Sequence, residues 1–151
     1  GMNDLRATFA INGHPLHPLL VPIPIALFAS ALATDIAYAA GCGEGFATAS
    51  LWLLGGGLAG AVLAAIAGFT DFAASSAIRA LRDAWLHLIA NLTVVVIELI
   101  SFFLRLGDRW IADGLGLGLS VVAVLLLLFS GWKGGELVFR YGVGQVRPRE
   151  P

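Results

Sequence analysis

Three histidines are the residues of this chain best suited to bind a metal. His14 and His17 lie three residues apart before the first apolar run, and His87 lies near the start of a later run. Asp71 ends another apolar run, and we expect it at the same membrane face as the histidines. Imidazole and carboxylate groups bind Zn²⁺ and non-haem iron, and two histidines on different helices can hold a haem. We therefore predict that the three histidines and Asp71 hold haem b or a divalent metal, Fe or Zn. The alternative is a hydrogen-bonded network with backbone carbonyls freed by proline.

A second polar feature lies on the run that begins near residue 84. His87, Asn91 and Glu98 are spaced four and seven residues apart, which places them within about 40° on one face of a helix. Near the middle of a bilayer a charged Glu98 costs several kcal/mol, so it should be protonated or paired. This stripe indicates a proton or ion path, a support for a site around His87, or interhelical hydrogen bonds. Asp35 lies on the face of His17, and we predict a solvated helix end there.

Charged residues near these positions offer secondary contacts. Arg79 and Arg82 are placed to pair with haem propionates, since a guanidinium binds a carboxylate bidentately. Glu136 and Arg140 follow the last apolar run, where Arg140 would meet anionic headgroups. Copper(I) is disfavoured, because the chain has one methionine and its single Cys42 falls at the other membrane face.

The composition excludes a soluble domain as the scaffold for these residues. Of 151 residues, 58% are apolar and 13% are charged, and the net charge is −1. A soluble domain of this size could not bury that much apolar surface, and a disordered chain needs low hydrophobicity. No basic patch favours nucleic acid. The composition predicts an integral membrane protein with the lipid bilayer as its main partner.

Long runs without charge show where the membrane spans lie. About 20 apolar residues cross a bilayer as a helix, and four runs are long enough, one of them interrupted only by Glu98. We predict an all-α transmembrane four-helix bundle forming a single integral membrane domain over 1–151, with a short cytoplasmic tail at 133–151. The predicted spans are 19–40, 46–70, 84–104 and 112–132.

The basic residues predict the orientation of the bundle. Four spans place both termini and the loop between the second and third spans on one side. That side carries seven of the nine basic residues, and the other side carries only Arg105 and Arg109. By the positive-inside rule both termini are cytoplasmic. All Trp and Tyr residues lie near predicted span ends, as expected for interfacial aromatic residues.

Small residues predict how the helices meet. The second span contains Gly56 and Gly60 in a GxxxG pair, which Ala64 and Gly68 extend. Such rows let helix backbones approach closely in lipid. The row indicates packing within the bundle, or the seam of a homodimer, and the sequence leaves both open.

Two terminal motifs carry a family resemblance. The opening GHPLHPLLVPIPIALF and the closing GWKGGELVFRYGVG resemble a bacterial family of small, uncharacterised membrane proteins, the domain of unknown function 2231. The resemblance covers the chain from Asn12 to about Gly144. It implies a four-span protein of the bacterial inner membrane and brings no established activity.

Three function hypotheses follow from these features. The first is a haem- or metal-binding redox module near the cytoplasmic face. The second is a proton or small-solute transport element that uses the stripe, and the third is a structural or assembly subunit. Whether the chain is an enzyme stays open, with catalysis least supported, because no nucleophile–base pair, P-loop, GxSxG or CxxC motif is present.

Overall fold

The computed structural model describes residues 5, 7–12 and 14–145, and within them four helical segments are long and apolar enough to cross a membrane. This confirms the predicted all-α four-span architecture. The segments are Leu16–Ala39, Gly45–Ala74, Arg82–Gly107 and Leu115–Phe139. Which side of the membrane the termini face stays a prediction. Arg6, Arg147 and Arg149, which contribute to that prediction, lie outside the described residues.

Short elements connect the spans. The strands β1 (Ala10–Ile11) and β2 (His14–Pro15) pair antiparallel before the first span. That span consists of α1 (Leu16–Leu20) and α2 (Pro22–Ala39), and the other long helices are α3 (Gly45–Ala74), α5 (Arg82–Gly107) and α6 (Leu115–Phe139). Between them lie α4 (Ser76–Arg79) and a 3₁₀ turn (Arg109–Asp113).

Local chemistry explains where several elements begin and end. Pro22 opens α2, a first-turn position that needs no amide donor. Ser75 is extended and accepts a hydrogen bond from the backbone N–H of Ile78, so it starts α4. The last span ends at Phe139, within the predicted tail. Lys133 does not end it, because its ammonium binds Asp83 at 3.1 Å and Glu136 at 2.7 Å.

The core lies where α2, α3, α5 and α6 meet. We call its buried residues the apolar layer: Phe28, Ala31, Leu54, Leu58, Ala61, Val94 and Ala123. The glycine row of α3 packs on the first span, where a Cβ on Gly60 would lie 3.0 Å from Ile23. Large apolar side chains, such as Trp52 and Phe129, cover the outer surface of the helices, as expected where they face lipid.

Gly57 gives a direct test of this packing. A Cβ at Gly57 would lie 2.5 Å from the ring of Phe28, which is only 1% exposed and has little room to move. We expect Gly57→Ala to destabilise the bundle by about 1–3 kcal/mol through overpacking. Unfolding by SDS titration in mixed micelles measures this. Gly118→Ala is the control, because its Cβ would meet nothing within 4 Å; equal stability losses in the two variants would contradict the packing.

Candidate functional site

His17 and His87 face each other near one end of the bundle. Their ring centroids lie 6.0 Å apart, and the ring planes are at 87°. His17 comes from α1, which packs on α3, and His87 comes from α5, which packs on α6. The two half-buried rings therefore project from different helix pairs. We call these two residues the His pair.

A backbone carbonyl orients each ring of the His pair. Nδ1 of His17 lies 2.8 Å from the carbonyl oxygen of Ala64, and Nδ1 of His87 lies 2.9 Å from that of Ser130. A carbonyl only accepts, so Nδ1 donates in both rings and the Nε2 of a neutral ring keeps its lone pair. On His87 this lone pair accepts from the Asn91 amide at 3.1 Å. On His17, Nε2 has no hydrogen-bond partner in the described part of the chain.

Two glycines provide the space that the His pair occupies. A Cβ on Gly68 would lie 2.7 Å from Nδ1 of His17, and a Cβ on Gly134 would lie 3.0 Å from Cε1 of His87. Gly68 is the last member of the small-residue row predicted on the second span. The row thus packs within the chain and seats His17, while a homodimer seam stays a prediction.

Two of the predicted site residues form hydrogen bonds with the N-terminal segment. His14 is exposed, and its Nδ1 donates to the carbonyl of Asn12 at 3.1 Å. Asp71 accepts from the backbone N–H groups of Thr8 and Phe9 at 2.6 and 2.8 Å. Asp71 therefore fastens the N-terminal segment to the end of α3. Over residues 5, 7–12 and 14–145, no group of three or more His, Cys, Asp or Glu is arranged to hold a metal ion.

The secondary candidates lie in surface contacts at the end of α6. Glu136 accepts from Lys133 at 2.7 Å and from the Trp132 indole at 3.3 Å. The guanidinium of Arg140 lies 5.4 Å from the centre of the Tyr141 ring, a cation–π contact. These contacts are typical of an anchored helix end.

A buried charge cluster at the other end of the bundle was missed by the sequence reasoning. Arg105 binds Asp35 bidentately, at 2.6 Å through Nη1 and 2.7 Å through Nη2, and the two residues are 1% and 0% exposed. The prediction of a solvated helix end at Asp35 is therefore wrong, because Arg105 of α5 neutralises it inside the bundle.

Serines from three helices complete this charge cluster, which consists of Asp35, Ser50, Ser101, Arg105 and Ser120. The hydroxyls of Ser50 and Ser120 each donate to Asp35 at 2.6 Å. Arg105 donates to Ser50, Ser101 and Ser120 at 2.9, 3.1 and 3.2 Å. The available sequence signals were single serines within apolar spans and the position of Arg105, seven residues after Glu98.

Glu98 is buried between the charge cluster and the His pair. Its side chain is 0% exposed, and neither carboxylate oxygen has a hydrogen-bond partner in the region the structure describes. Arg105 is two turns further along α5, but a guanidinium has five N–H groups. All five are engaged, two by Asp35 and three by the serines. The charge cluster therefore offers Glu98 no donor.

The predicted stripe lies on one face of α5 and is interrupted by an apolar residue. The side-chain amide of Asn91 donates to the ring Nε2 of His87 at 3.1 Å and to the backbone carbonyl of His87 at 2.9 Å. Val94, 1% exposed, then separates Asn91 from Glu98 and belongs to the apolar layer. The bundle therefore holds two polar regions divided by hydrocarbon.

Comparison with known proteins identifies the chain at family level. The model of a family described as "Predicted membrane protein (DUF2231)" matches residues 13–147. This covers both motifs on which the resemblance was based. No curated protein and no solved structure matches the chain.

Proposed function

The chain belongs to the DUF2231 family of predicted membrane proteins, and from that premise we propose that it is a membrane-embedded redox module whose His pair binds haem b. The observation that carries the proposal is the orientation of the two rings. Each Nδ1 is held by a carbonyl of a neighbouring helix, so the Nε2 of each neutral ring carries a lone pair that could bind a metal, provided that Asn91 releases that of His87. Metal-binding histidines show this same support from their second nitrogen. When bound, haem iron would supply one-electron chemistry.

The number of ligands favours haem over a bare metal ion. Structural zinc sites use four protein ligands and catalytic zinc sites use three. The described residues contain no such group, whereas two imidazoles suffice as the axial ligands of a haem iron. The position of Asn91 is compatible with haem binding by His87. Asn91 keeps its 2.9 Å hydrogen bond to the His87 carbonyl when the ring nitrogen binds iron.

Arg79 and Arg82, which were both predicted to pair with haem propionates, differ in their contacts. Arg79 donates to the carbonyls of Phe72 and Ala73, so it satisfies the last carbonyls of α3. Arg82 is exposed at the start of α5, five residues before His87. Arg82 is thus the better candidate to pair with a haem propionate.

Haem titration of the purified protein in detergent tests this function. We expect haem b to bind with the spectrum of a six-coordinate, low-spin iron, and His17→Ala and His87→Ala each to abolish that spectrum. His14→Ala is the matched control, because His14 is exposed and bound to Asn12, and it should leave the spectrum unchanged. Failure of the folded wild-type protein to bind haem, or bound zinc with no haem on elemental analysis, would refute the proposal.

Proton transport along α5 is the second candidate, and the buried polar face of that helix favours it. The face carries His87 and Glu98, which can take up and release a proton, together with the polar side chains of Asn91 and Ser101. The apolar layer at Val94 interrupts this face, so a continuous path would need water to enter there. For that reason the redox proposal is preferred over transport.

A further inference from the structure

We propose that Glu98 is a proton-binding site, held as the neutral acid inside the bundle and supplied with protons from the end that carries the charge cluster. This proposal goes beyond the His pair and does not depend on haem binding.

Glu98 has no partner that would stabilise a charged carboxylate in the described part of the chain. Glu98 is 0% exposed, and its two oxygens have no hydrogen-bond partner among residues 5, 7–12 and 14–145. An ionised carboxylate in such surroundings is strongly disfavoured, and the group instead takes up a proton. Proton uptake is therefore the simplest way for this side chain to be buried.

The charges around Glu98 also disfavour its ionised form. The charged groups that act on Glu98 are Arg105 of α5 and Asp35 of α2. These two neutralise each other in a bidentate pair, and α3 and α6 add only the hydroxyls of Ser50 and Ser120. An ionised Glu98 would leave a net negative charge in the bundle interior. The histidines lie beyond Val94 and supply no neutralising contact.

A surface cleft at the charge-cluster end of the bundle is the approach that we propose for protons. A cleft of about 420 Å³ opens beside the 3₁₀ turn, and its lining includes Thr48, Arg105, Asp108, Arg109 and Trp110. Arg105 lines the cleft and also belongs to the charge cluster, where its side chain is 0% exposed. Ser101 lies between Arg105 and Glu98 on the same helix face, one turn from each. Toward the His pair the apolar layer closes the route.

Infrared spectroscopy of the haem-free protein in lipid vesicles tests the site directly. We expect a carbonyl stretch of a protonated carboxylic acid at neutral pH, which disappears in Glu98→Gln. Glutamine has the same shape without the acid, and Glu44→Gln is the matched control, because Glu44 is exposed in the turn before α3. Transfer to D₂O should shift the band, because a proton supplied through the cleft is then replaced by a deuteron.

A second measurement needs no variant. Selective ¹³C labelling of glutamate should shift the band in the wild-type protein, which separates it from the aspartates. Absence of the band at neutral pH, its persistence in Glu98→Gln, or no shift on glutamate labelling would overturn the proposal. A band that never exchanges with D₂O would overturn the route through the cleft.

Discussion

Replacing Asp35 with asparagine is expected to destabilise the bundle by about 3–5 kcal/mol, the usual cost of removing one partner of a buried ion pair. The change leaves the guanidinium of Arg105 charged and only 1% exposed. Asparagine keeps the shape of the side chain and one oxygen acceptor, so the loss combines the missing negative charge with the two hydrogen bonds that the other oxygen accepts from Arg105 and Ser120. Unfolding by SDS titration in mixed micelles gives the free energy.

Two further variants isolate the ion pair. Asp113→Asn removes a carboxylate from an exposed position of the 3₁₀ turn and should change stability by no more than about 0.5 kcal/mol. Combining Asp35→Asn with Arg105→Gln removes both charges and should recover part of the loss, because no uncompensated charge is left. If Asp35→Asn is as mild as Asp113→Asn, the pair does not hold the four helices together.

The spans could be predicted from sequence because crossing a bilayer needs only length and apolarity. Each observed segment overlaps its predicted span, and the largest difference is at the end of α6. There a charge at Lys133 suggested a boundary, but the pairing of Lys133 with Asp83 lets the helix continue to Phe139. A formally charged residue therefore need not mark the end of a span when its charge is paired within the protein, as that of Lys133 is.

The charge cluster could not be predicted because its two charged members are 70 residues apart in the chain. Asp35 lies near the end of α2, where a solvated carboxylate is the usual expectation. Its burial depends on how α5 is rotated against α2, which periodicity in one helix does not reveal. The same limit applies to the His pair: the sequence places histidines near one face, but only packing selects His17 over His14 as the partner of His87.

Gly68→Leu is expected to have the second large effect, because it removes the space that seats His17. A Cβ at Gly68 already lies 2.7 Å from Nδ1 of His17, and the rest of a leucine side chain has to displace the ring. The ring then loses its hydrogen bond to the Ala64 carbonyl, so its orientation in the His pair is no longer fixed. We expect haem affinity to fall about 10–100-fold, as when the supporting group of a metal-binding histidine is removed.

The matched variant for this change is Gly118→Leu, which adds the same side chain to a helix position where a Cβ meets nothing within 4 Å. It should leave both haem affinity and stability close to those of the wild-type protein. Gly68→Leu should also lower stability by about 1–3 kcal/mol through overpacking, so haem titration is done under conditions where both variants are folded. Equal haem affinity in the two folded variants would show that the position of His17 does not determine binding. In that case the small-residue row of α3 serves helix packing alone. A loss of haem affinity in Gly68→Leu but not in Gly118→Leu would show that the glycine at the end of this row is needed for haem binding by the His pair.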